Sequence, residues 1–273
     1  MLPEKTLDGR VAMITGGGTG IGLAIADEYA RLGAKLVLAS RNPEHLEPAG
    51  QELRAKHSGA QVLTFPMDVR IPEQVDDLCR KTLRQFGSID ILVNNAAGNF
   101  ICPAEKLSPN GWNAVVNIVL NGTFYCSRAA GLHMIESGRG GNILNIVATY
   151  AWTGGPGTIH SACAKAGVVC MTRTLAVEWA RHMIRVNAIA PGPVETPGAG
   201  GKLWAQPEVR TAMLKTVPHG RIGTPKEIAQ ASGYLVSDYA DFITGEVLVM
   251  DGGQWLGKGL FGIEAFGAGE TGG

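Results

Sequence analysis

The feature that most constrains this chain is a glycine-rich string between a short apolar run and an amphipathic stretch. Val11–Thr15 runs into the string, and Gly22–Leu32 follows it with helical spacing. Glycines allow the backbone to turn sharply and to approach an anion, and a helix N-terminus offers unpaired N–H groups to that anion. At the first strand–helix junction, this arrangement indicates a pyrophosphate cradle rather than a flexible turn. The predicted cradle residues are Gly16, Gly18, Thr19, Gly20, Ile21 and Gly22.

The remaining chain alternates between short apolar runs and longer amphipathic stretches. The predicted strands are Val11–Thr15, Lys35–Ser40, Gln61–Met67, Ile89–Asn94, Gly141–Val147, Arg185–Ala190 and Glu246–Met250. The predicted helices are Gly22–Leu32, Pro72–Phe86, Trp112–Glu136, Ser161–Arg181 and Pro225–Ser237. Because the strands are rich in Val, Ile and Leu without polar alternation, they should be covered on both faces. The pattern predicts an α/β fold with a doubly wound, mainly parallel sheet and helices on both faces.

The organisation of the 273 residues predicts a single Rossmann-type domain, residues 1–273, with its core at about 8–253. No linker, charge block or repeat interrupts the alternating pattern. The Gly/Pro-rich part of 191–224 lies inside that pattern, so we expect a substrate loop or lid there rather than a domain boundary. Residues 254–273 are expected to form a C-terminal tail.

The charge balance and the cysteine content exclude several function classes. Twenty-four basic residues balance twenty-four acidic ones, which argues against nucleic-acid and anionic-membrane partners. Five cysteines without a C-x-x-C pair argue against a zinc site or a disulfide framework, and no metal is predicted. No apolar run approaches the roughly 20 residues of a membrane helix, and Met1–Arg10 lacks the apolar stretch of a signal peptide. A cytoplasmic location is therefore expected.

The residues after the second and third strands bear on the type of dinucleotide. An acidic residue at the end of the second strand would bind the ribose diol of NAD, but Ser40-Arg41 stands there instead. The Arg41 guanidinium could bind a 2′-phosphate, which favours NADP(H) over NAD. Asp68 could accept a hydrogen bond from the adenine amino group, with a helix-capping role before Pro72 as the alternative.

Several short motifs follow one another along residues 8–253. They are Thr15-Gly16-x-x-x-Gly20-x-Gly22, Asn94-Asn95-Ala96-Ala97-Gly98, Lys165 within a helix, Pro191-Gly192 and Asp251-Gly252-Gly253. With this set the chain resembles the short-chain dehydrogenase/reductase family. The resemblance implies a seven-stranded Rossmann sheet in a homotetramer or a homodimer, and a homotetramer is expected. The further cofactor-binding residues that it implies are Val69, Asn95, Ala96, Gly98, Lys165, Pro191, Gly192 and Val194.

The position of the tyrosine departs from the pattern of most family members. The residue four before Lys165 is Ser161, not tyrosine, and the residue seven before it is Thr158. Tyr150 instead stands at the end of the fifth predicted strand, and Asn99 follows the Asn-Asn-Ala-Ala-Gly string. This combination resembles the 2,4-dienoyl-CoA reductase branch of the family.

That resemblance implies NADPH-dependent reduction of 2,4-dienoyl-CoA to enoyl-CoA in the β-oxidation of unsaturated fatty acids. Tyr150 and Asn99 would stabilise the dienolate oxygen, as an oxyanion hole does. Lys165 would bind the nicotinamide ribose, and Ser161 would assist by hydrogen bonding or serve only as a small packing residue. Either Asn117 or Asn121 would supply the structural helix asparagine of the wider family.

The acyl-CoA substrate needs contacts of its own. By resemblance, Arg70 and Lys202 would meet its phosphates, while Phe100 and Ser108 would line the acyl or thioester end; Lys202 stands where other members have arginine. His160 is not assigned, because adjacent residues on a helix point about 100° apart.

Two alternatives remain open at this point. One is a carbonyl/alcohol dehydrogenase that uses Tyr150 as the general acid. The other is a catalytically inactive nucleotide-binding regulatory protein.

Overall fold

The structure, a computed structural model, describes residues 1–196 and 206–256. Seven strands form one sheet in the order β3-β2-β1-β4-β5-β6-β7, and every strand pair is parallel. The strands are β1 Val11–Thr15, β2 Lys35–Ser40, β3 Val62–Pro66, β4 Ile91–Asn94, β5 Gly141–Ile146, β6 Ile184–Pro191 and β7 Val247–Met250. The predicted fold class is confirmed.

Helices occupy the connections between the strands. They are α1 Gly20–Arg31, α2 Pro43–Lys56, α3 Pro72–Phe86, α4 Pro109–Val116, α5 Gly122–Ser137, α6 Tyr150–Thr153, α7 Ile159–Trp179, α8 Pro207–Lys215 and α9 Pro225–Val236. Short 3₁₀ turns are found at Ala104–Lys106, Ala180–His182 and Asp238–Ala240.

Several helices differ from the sequence prediction. Helix α2 was not predicted; Asn42 caps it and Pro43 suits its first turn, but Pro48 inside it breaks the expected pattern. The stretch predicted as one helix, Trp112–Glu136, is instead α4 and α5 joined by the π-helical segment Asn117–Asn121. Tyr150 does not end a strand, because β5 stops at Ile146 and Tyr150 opens α6.

Successive residues of the central strand β1 point to opposite faces of the sheet. Ala12 and Ile14 belong to one buried cluster, shared with α1 and α9. Val11 and Met13 belong to a second cluster on the other face, shared with α3 and α5. Both faces of the sheet are therefore covered, as the unbroken apolar runs predicted.

The strand order places a crevice at one edge of the sheet. The chain moves outward from β1 to β3 and then returns to the other side of β1 with β4. The connection after β1 and the connection after β4 therefore lead away from each other, which leaves a crevice between the carboxyl ends of these two strands. Sheets of this kind bind ligands in that crevice. The glycine-rich loop follows β1, and the Asn94–Gly98 string begins at the end of β4.

The predicted loop region, 191–224, contains regular structure in its described part. Val194 forms an isolated bridge with Gly223, and α8 lies between them in sequence. The predicted substrate residue Lys202 lies outside the described residues, as does 257–273 of the predicted tail. Within residues 1–196 and 206–256, no helix is long and apolar enough to cross a membrane.

Candidate active site

The glycine-rich loop forms a tight floor at the carboxyl end of β1. Gly16 and Gly20 have φ angles of +64° and +55°, a region that side chains disfavour. A Cβ atom on Gly22 would lie 2.2 Å from the Gly16 carbonyl oxygen and 2.5 Å from Asn95 Nδ2. Only glycine fits at this position, so the first turn of α1 packs directly on the loop.

Hydrogen bonds from the β4 side hold this loop in place. The Asn95 side-chain amide donates to the carbonyl oxygens of Thr15 and Gly16, each at 3.1 Å. The buried Thr15 hydroxyl accepts from the backbone N–H groups of Asn95 and Ala96 at 3.0 Å and donates to the Val93 carbonyl. The glycine loop and the start of the Asn-Asn-Ala-Ala-Gly string are thereby one hydrogen-bonded unit.

A groove of about 310 Å³ opens above this unit. Its lining residues are Gly16, Gly18, Thr19, Gly20, Ile21, Ala39, Ser40, Arg41, His45, Met67, Val69, Asn95, Ala96, Ala97, Ile118 and Thr196. Most of the predicted cofactor residues are among them. Among the lining residues that the structure describes, Arg41 and His45 are the basic side chains and there is no aspartate or glutamate. His45 was not predicted; its signal is the short distance from Arg41 in sequence.

The predicted residues outside the lining have other surroundings. Gly22 lies beneath the loop, and Gly192 packs so closely on Asp251 that a Cβ atom would approach its Cβ to 2.5 Å. Pro191 is the last residue of β6, and Val194 is buried in the core. A Cβ atom added to Gly98 would lie 3.4 Å from the Ile118 side chain.

Arg41 differs from its neighbour Arg70 in its partners. Arg41 forms no ion pair with any residue that the structure describes. Arg70 instead donates to both oxygens of the Asp68 carboxylate, at 2.5 to 3.0 Å. This pairing lowers the pKa of Asp68 and raises that of Arg70. Asp68 was predicted to contact adenine and Arg70 to contact CoA; here each is the other's partner.

A second group of side chains lies between α6 and α7. The Tyr150 hydroxyl is 3.0 Å from Ser161 Oγ. Burial raises the pKa of Tyr150, and the hydrogen bond with Ser161 partly offsets this effect. Ser161 is 1% exposed, so its hydroxyl is shielded from solvent where it contacts Tyr150. Ser161 stands at the sequence position of the usual Tyr-x-x-x-Lys tyrosine, and Tyr150 is the tyrosine predicted to take over its role. These two residues are therefore in direct contact.

Lys165 is one helical turn after Ser161 on α7 and is buried. Its ammonium group donates to the carbonyl oxygen of Ile146, the last residue of β5. Burial lowers the pKa of Lys165 to about 8. The cation is thus fixed at the carboxyl end of the central sheet.

Asn99 and Phe100 form an exposed loop after β4. The Asn99 side-chain oxygen accepts the Phe100 backbone N–H at 2.9 Å. Because a backbone N–H can only donate, the oxygen of the amide must face it, and the NH₂ group faces the other way. That NH₂ group has no partner among the described residues. Asn99 therefore presents a free donor.

Ser108 has a structural contact that sequence reasoning did not assign. It is the N-cap of α4, and its hydroxyl accepts the Gly111 backbone N–H at 3.1 Å. Phe100 lies close to the same turn, because a Cβ atom added to Gly111 would lie 3.2 Å from its ring. The two predicted substrate residues are thereby neighbours.

Buried polar side chains connect the sheet to α5 and α7. Asn94 donates to Ser127 and Asn145, and Asn145 donates to Thr172, each at 2.9 Å. In the π-helical segment, the Asn121 amide donates to the Asn117 side-chain oxygen at 2.8 Å. The sequence analysis did not identify the contacts that join Asn94 and Asn145 to α5 and α7. An asparagine inside an apolar strand, as at Asn145, is the sequence signal that could have indicated them. Among the described residues there is no cluster of acidic, His or Cys side chains that could hold a metal ion.

Comparison with known proteins places this geometry in a class. The family model described as "Enoyl-(Acyl carrier protein) reductase" matches residues 16–254. A short-chain dehydrogenase from Bacillus anthracis superposes with a TM-score of 0.83 at 53% identity, covering 90% of this chain and 96% of that one. The chain belongs to the short-chain dehydrogenase/reductase family, whose members are oxidoreductases that use a nicotinamide dinucleotide.

The similar curated proteins define a narrower branch. A Bacillus subtilis protein named as a probable 2,4-dienoyl-CoA reductase, (2E)-enoyl-CoA-producing, is 50% identical over 251 residues, 92% of this chain and 98% of that protein. The peroxisomal 2,4-dienoyl-CoA reductase of Danio rerio, (3E)-enoyl-CoA-producing, is 41% identical over 250 residues, 92% of this chain and 83% of that protein. The resemblance to this branch is confirmed.

Proposed function

We propose that this chain reduces 2,4-dienoyl-CoA thioesters to enoyl-CoA with NADPH. The observation that carries the proposal is the contact of Tyr150 with Ser161, the residue that stands four before Lys165 where most family members have tyrosine. The Asn99 amide, whose NH₂ group has no partner among the described residues, is linked to the same part of α7 through the contact of Phe100 with His160. The names of the relatives support the same substrate class. Fatty acid β-oxidation is the setting in which such thioesters arise, and a homotetramer remains a prediction.

The groove fits a dinucleotide on two grounds. A Cβ atom on Gly22 would enter the glycine loop, so the sequence keeps this floor free of side chains. The start of α1 directs its unpaired N–H groups towards the floor, where a pyrophosphate gains hydrogen bonds and the helix dipole. The bound cofactor supplies the hydride. The carbonyl-bound Lys165 ammonium is suited to hold ribose hydroxyls and to give the site a positive charge.

The cofactor type depends on the carboxyl end of β2. Arg41 lines the groove without an ion-pair partner among the described residues, and none of the described lining residues carries a carboxylate. The Asp68 carboxylate is near enough to Arg41 to interact electrostatically with it, but its hydrogen-bonding partner is Arg70. A guanidinium binds a phosphate with two parallel hydrogen bonds. These observations support NADPH as the reductant.

Reduction adds one hydride and one proton to the substrate. When hydride reaches the conjugated system, negative charge moves to the thioester oxygen as a dienolate. Donors aimed at that oxygen lower the barrier because they are oriented before the reaction. The Asn99 NH₂ group and the Tyr150 hydroxyl are the donors that this chain offers. The proton that completes the reduction then comes from the tyrosine hydroxyl or from water, and solvent restores it.

The first experiment compares substrates. NADPH consumption should be followed by the loss of absorbance at 340 nm with trans-2,4-hexadienoyl-CoA, trans-2-hexenoyl-CoA and a set of simple ketones. We expect turnover of the dienoyl-CoA only. Efficient ketone reduction together with no reduction of any dienoyl-CoA would contradict the proposal and favour a carbonyl reductase.

A second experiment tests the tyrosine. Tyr150→Phe should lower kcat about 100-fold or more, since loss of one oxyanion donor costs about that much, while the dissociation constant of NADPH stays unchanged. Tyr239→Phe, at an exposed tyrosine, is the matched control and should keep full activity. An unchanged kcat in Tyr150→Phe would mean that Tyr150 is not a catalytic residue.

A third experiment tests the cofactor. Arg41→Ala should weaken NADPH binding about 10-fold or more, because a charge-assisted bidentate contact is lost, and should leave NADH binding within about twofold. Equal weakening of both cofactors would mean that Arg41 does not contact the 2′-phosphate.

A further inference from the structure

His160 is a buried polar residue for which neither the fold nor the proposed reaction accounts. Its side chain is fully buried in the first turn of α7. Neither ring nitrogen has a hydrogen-bond partner among the described residues. Most buried polar groups in proteins are hydrogen-bonded, and each exception requires an explanation.

The surroundings of His160 supply that explanation. Its ring contacts the Phe100 ring edge to face, with the centroids 4.4 Å apart and the planes at 65°. Phe100 is in turn the residue whose N–H orients the Asn99 side chain. One residue after His160, Ser161 holds the Tyr150 hydroxyl. His160 therefore lies between the supports of the two proposed donors.

A second contact joins the same two segments. The Cys102 backbone N–H donates to the Gly157 carbonyl at 2.9 Å. A Cβ atom on Gly157 would lie 3.0 Å from the Ile101 side chain, so the two loops approach closely. The loop that carries Asn99 thus contacts the segment before α7 through Ile101 and Cys102, and it contacts the first turn of α7 through the rings of Phe100 and His160.

We propose that His160 is a positioning residue, whose ring holds Phe100 and thereby fixes the Asn99 amide relative to Tyr150. The inference rests on the proposed function in one respect, namely that Asn99 contacts the substrate. The ring acts in its neutral form, because burial lowers the pKa of His160 and the backbone of Thr158 offsets this effect only in part. Apolar contact with Phe100 requires no hydrogen bond, which is consistent with the two free nitrogens.

The test uses His160→Ala and His160→Phe, each alone and combined with Asn99→Ala. His160→Ala removes the ring and should lower kcat with trans-2,4-hexadienoyl-CoA about 10-fold, with the dissociation constant of NADPH within twofold. His160→Phe keeps an aromatic edge and should restore kcat to within threefold of the wild type. In the Asn99→Ala background, His160→Ala should reduce kcat less than twofold further, because its effect passes through Asn99. His133→Ala, at a partly exposed histidine on α5, is the matched control.

Two results would overturn the inference. Fully additive losses in the double variant would show that His160 acts independently of Asn99. Equal losses in His160→Ala and His160→Phe, with unchanged circular dichroism, would assign the effect to a ring nitrogen rather than to the ring contact.

Hydrogen exchange separates this inference from the proposed function. In apo His160→Ala, backbone amides of residues 98–103 should exchange at least fivefold faster, while those of residues 15–22 should not change. If the wild type reduces no dienoyl-CoA but this local increase occurs, the proposed function is wrong and the positioning contact stands. If residues 98–103 exchange as in the wild type, the positioning contact is wrong whatever the substrate is.

Discussion

The two sides of the crevice differ in how completely their polar groups are paired. On the glycine-loop side, Thr15 and Asn95 together satisfy the backbone groups around the turn, and Asn94 Oδ1 is the buried atom without a partner among the described residues there. On the α6–α7 side, which includes the loop after β4 that contacts α7, the NH₂ group of the exposed Asn99 lacks a partner and both ring nitrogens of the buried His160 lack one. Paired groups form a rigid cradle, an exposed unpaired donor is available to a ligand, and a buried unpaired group has a cost in stability. The difference suggests a preformed cofactor site next to a donor set that only substrate completes.

The largest expected effect breaks the cradle itself. Gly22→Ala places a Cβ atom 2.2 Å from the Gly16 carbonyl oxygen, so the loop or α1 must move. We expect NADPH affinity to fall at least 100-fold, with a loss of about 3 kcal/mol in the free energy of unfolding. Fluorescence titration and chemical denaturation measure the two quantities.

Gly223→Ala is the matched control, since its added Cβ atom would have no heavy atom closer than 3.4 Å. It should bind NADPH normally. Normal cofactor affinity in Gly22→Ala would mean that the cradle is more adaptable than its hydrogen bonds indicate.

A second prediction concerns the buried cation on the α6–α7 side. Burial lowers the pKa of Lys165 to about 8 from 10.5. The unfolded chain therefore binds more protons than the folded chain between these values, and stability rises with pH across that window. Below pH 8 the charged lysine destabilises the apo protein, so Lys165→Met should raise its unfolding free energy by about 1–3 kcal/mol at pH 7.

The same variant should lose cofactor affinity, which separates stability from function at this residue. Urea denaturation at pH 7 and at pH 10.5 should show the advantage of Lys165→Met shrinking at the higher pH. Lys226→Met, at an exposed lysine, should show no such pH dependence. A constant difference between wild type and Lys165→Met would mean that the ammonium does not titrate in this range.

A third prediction tests the pairing on the glycine-loop side. Thr15→Val keeps the shape of the side chain but leaves two N–H groups and the Val93 carbonyl without their partner. We expect the unfolding free energy to fall by about 2 kcal/mol and NADPH affinity to fall with it. Thr174→Val, at an exposed threonine, should change stability by less than about 0.5 kcal/mol.

The smallest expected effect is on stability and concerns the N-terminal cap of α9, a helix that packs against α1. Thr224 and Glu227 form a reciprocal cap at the start of α9. Thr224→Ala should cost about 1 kcal/mol and leave NADPH affinity unchanged, whereas Thr224→Ser should cost little. A matching loss of cofactor affinity would show that the cradle depends on the whole α1–α9 layer rather than on its own hydrogen bonds.

The sequence predicts the two sides unequally, for a physical reason. The glycine loop and the Asn-Asn-Ala-Ala-Gly string are local motifs, and the alternation of apolar runs predicts the strands that carry them. The contacts of His160 with Phe100 and of Asn94 with Ser127 join residues that are distant in sequence, so no local pattern indicates them. Helix α2 was missed because Pro48 interrupts its pattern, although Asn42 and Pro43 mark its beginning.

Resemblance to a family contributed what local patterns could not. It directed attention to Tyr150 despite its distance from Lys165 in sequence, and the structure brings Tyr150 against Ser161. It also assigned Arg70 to the phosphates of CoA, while Asp68 was assigned to adenine from its position after the third strand; in the structure the two side chains pair with each other, and both ligand assignments stay predictions.

The π-helical segment at Asn117–Asn121 bears on which sequence lengths this region tolerates. A π turn holds one more residue than the α-helical turns on either side. Deleting one residue between Ile118 and Leu120 would convert the segment to regular α-helix, and the residues downstream would keep their orientation because the π turn had absorbed the extra residue. Ser127 would then still face Asn94, and the apolar face of α5 would still cover the sheet. One-residue length variation should therefore be tolerated in this stretch, as it is expected to be in exposed turns such as the one at Gly59.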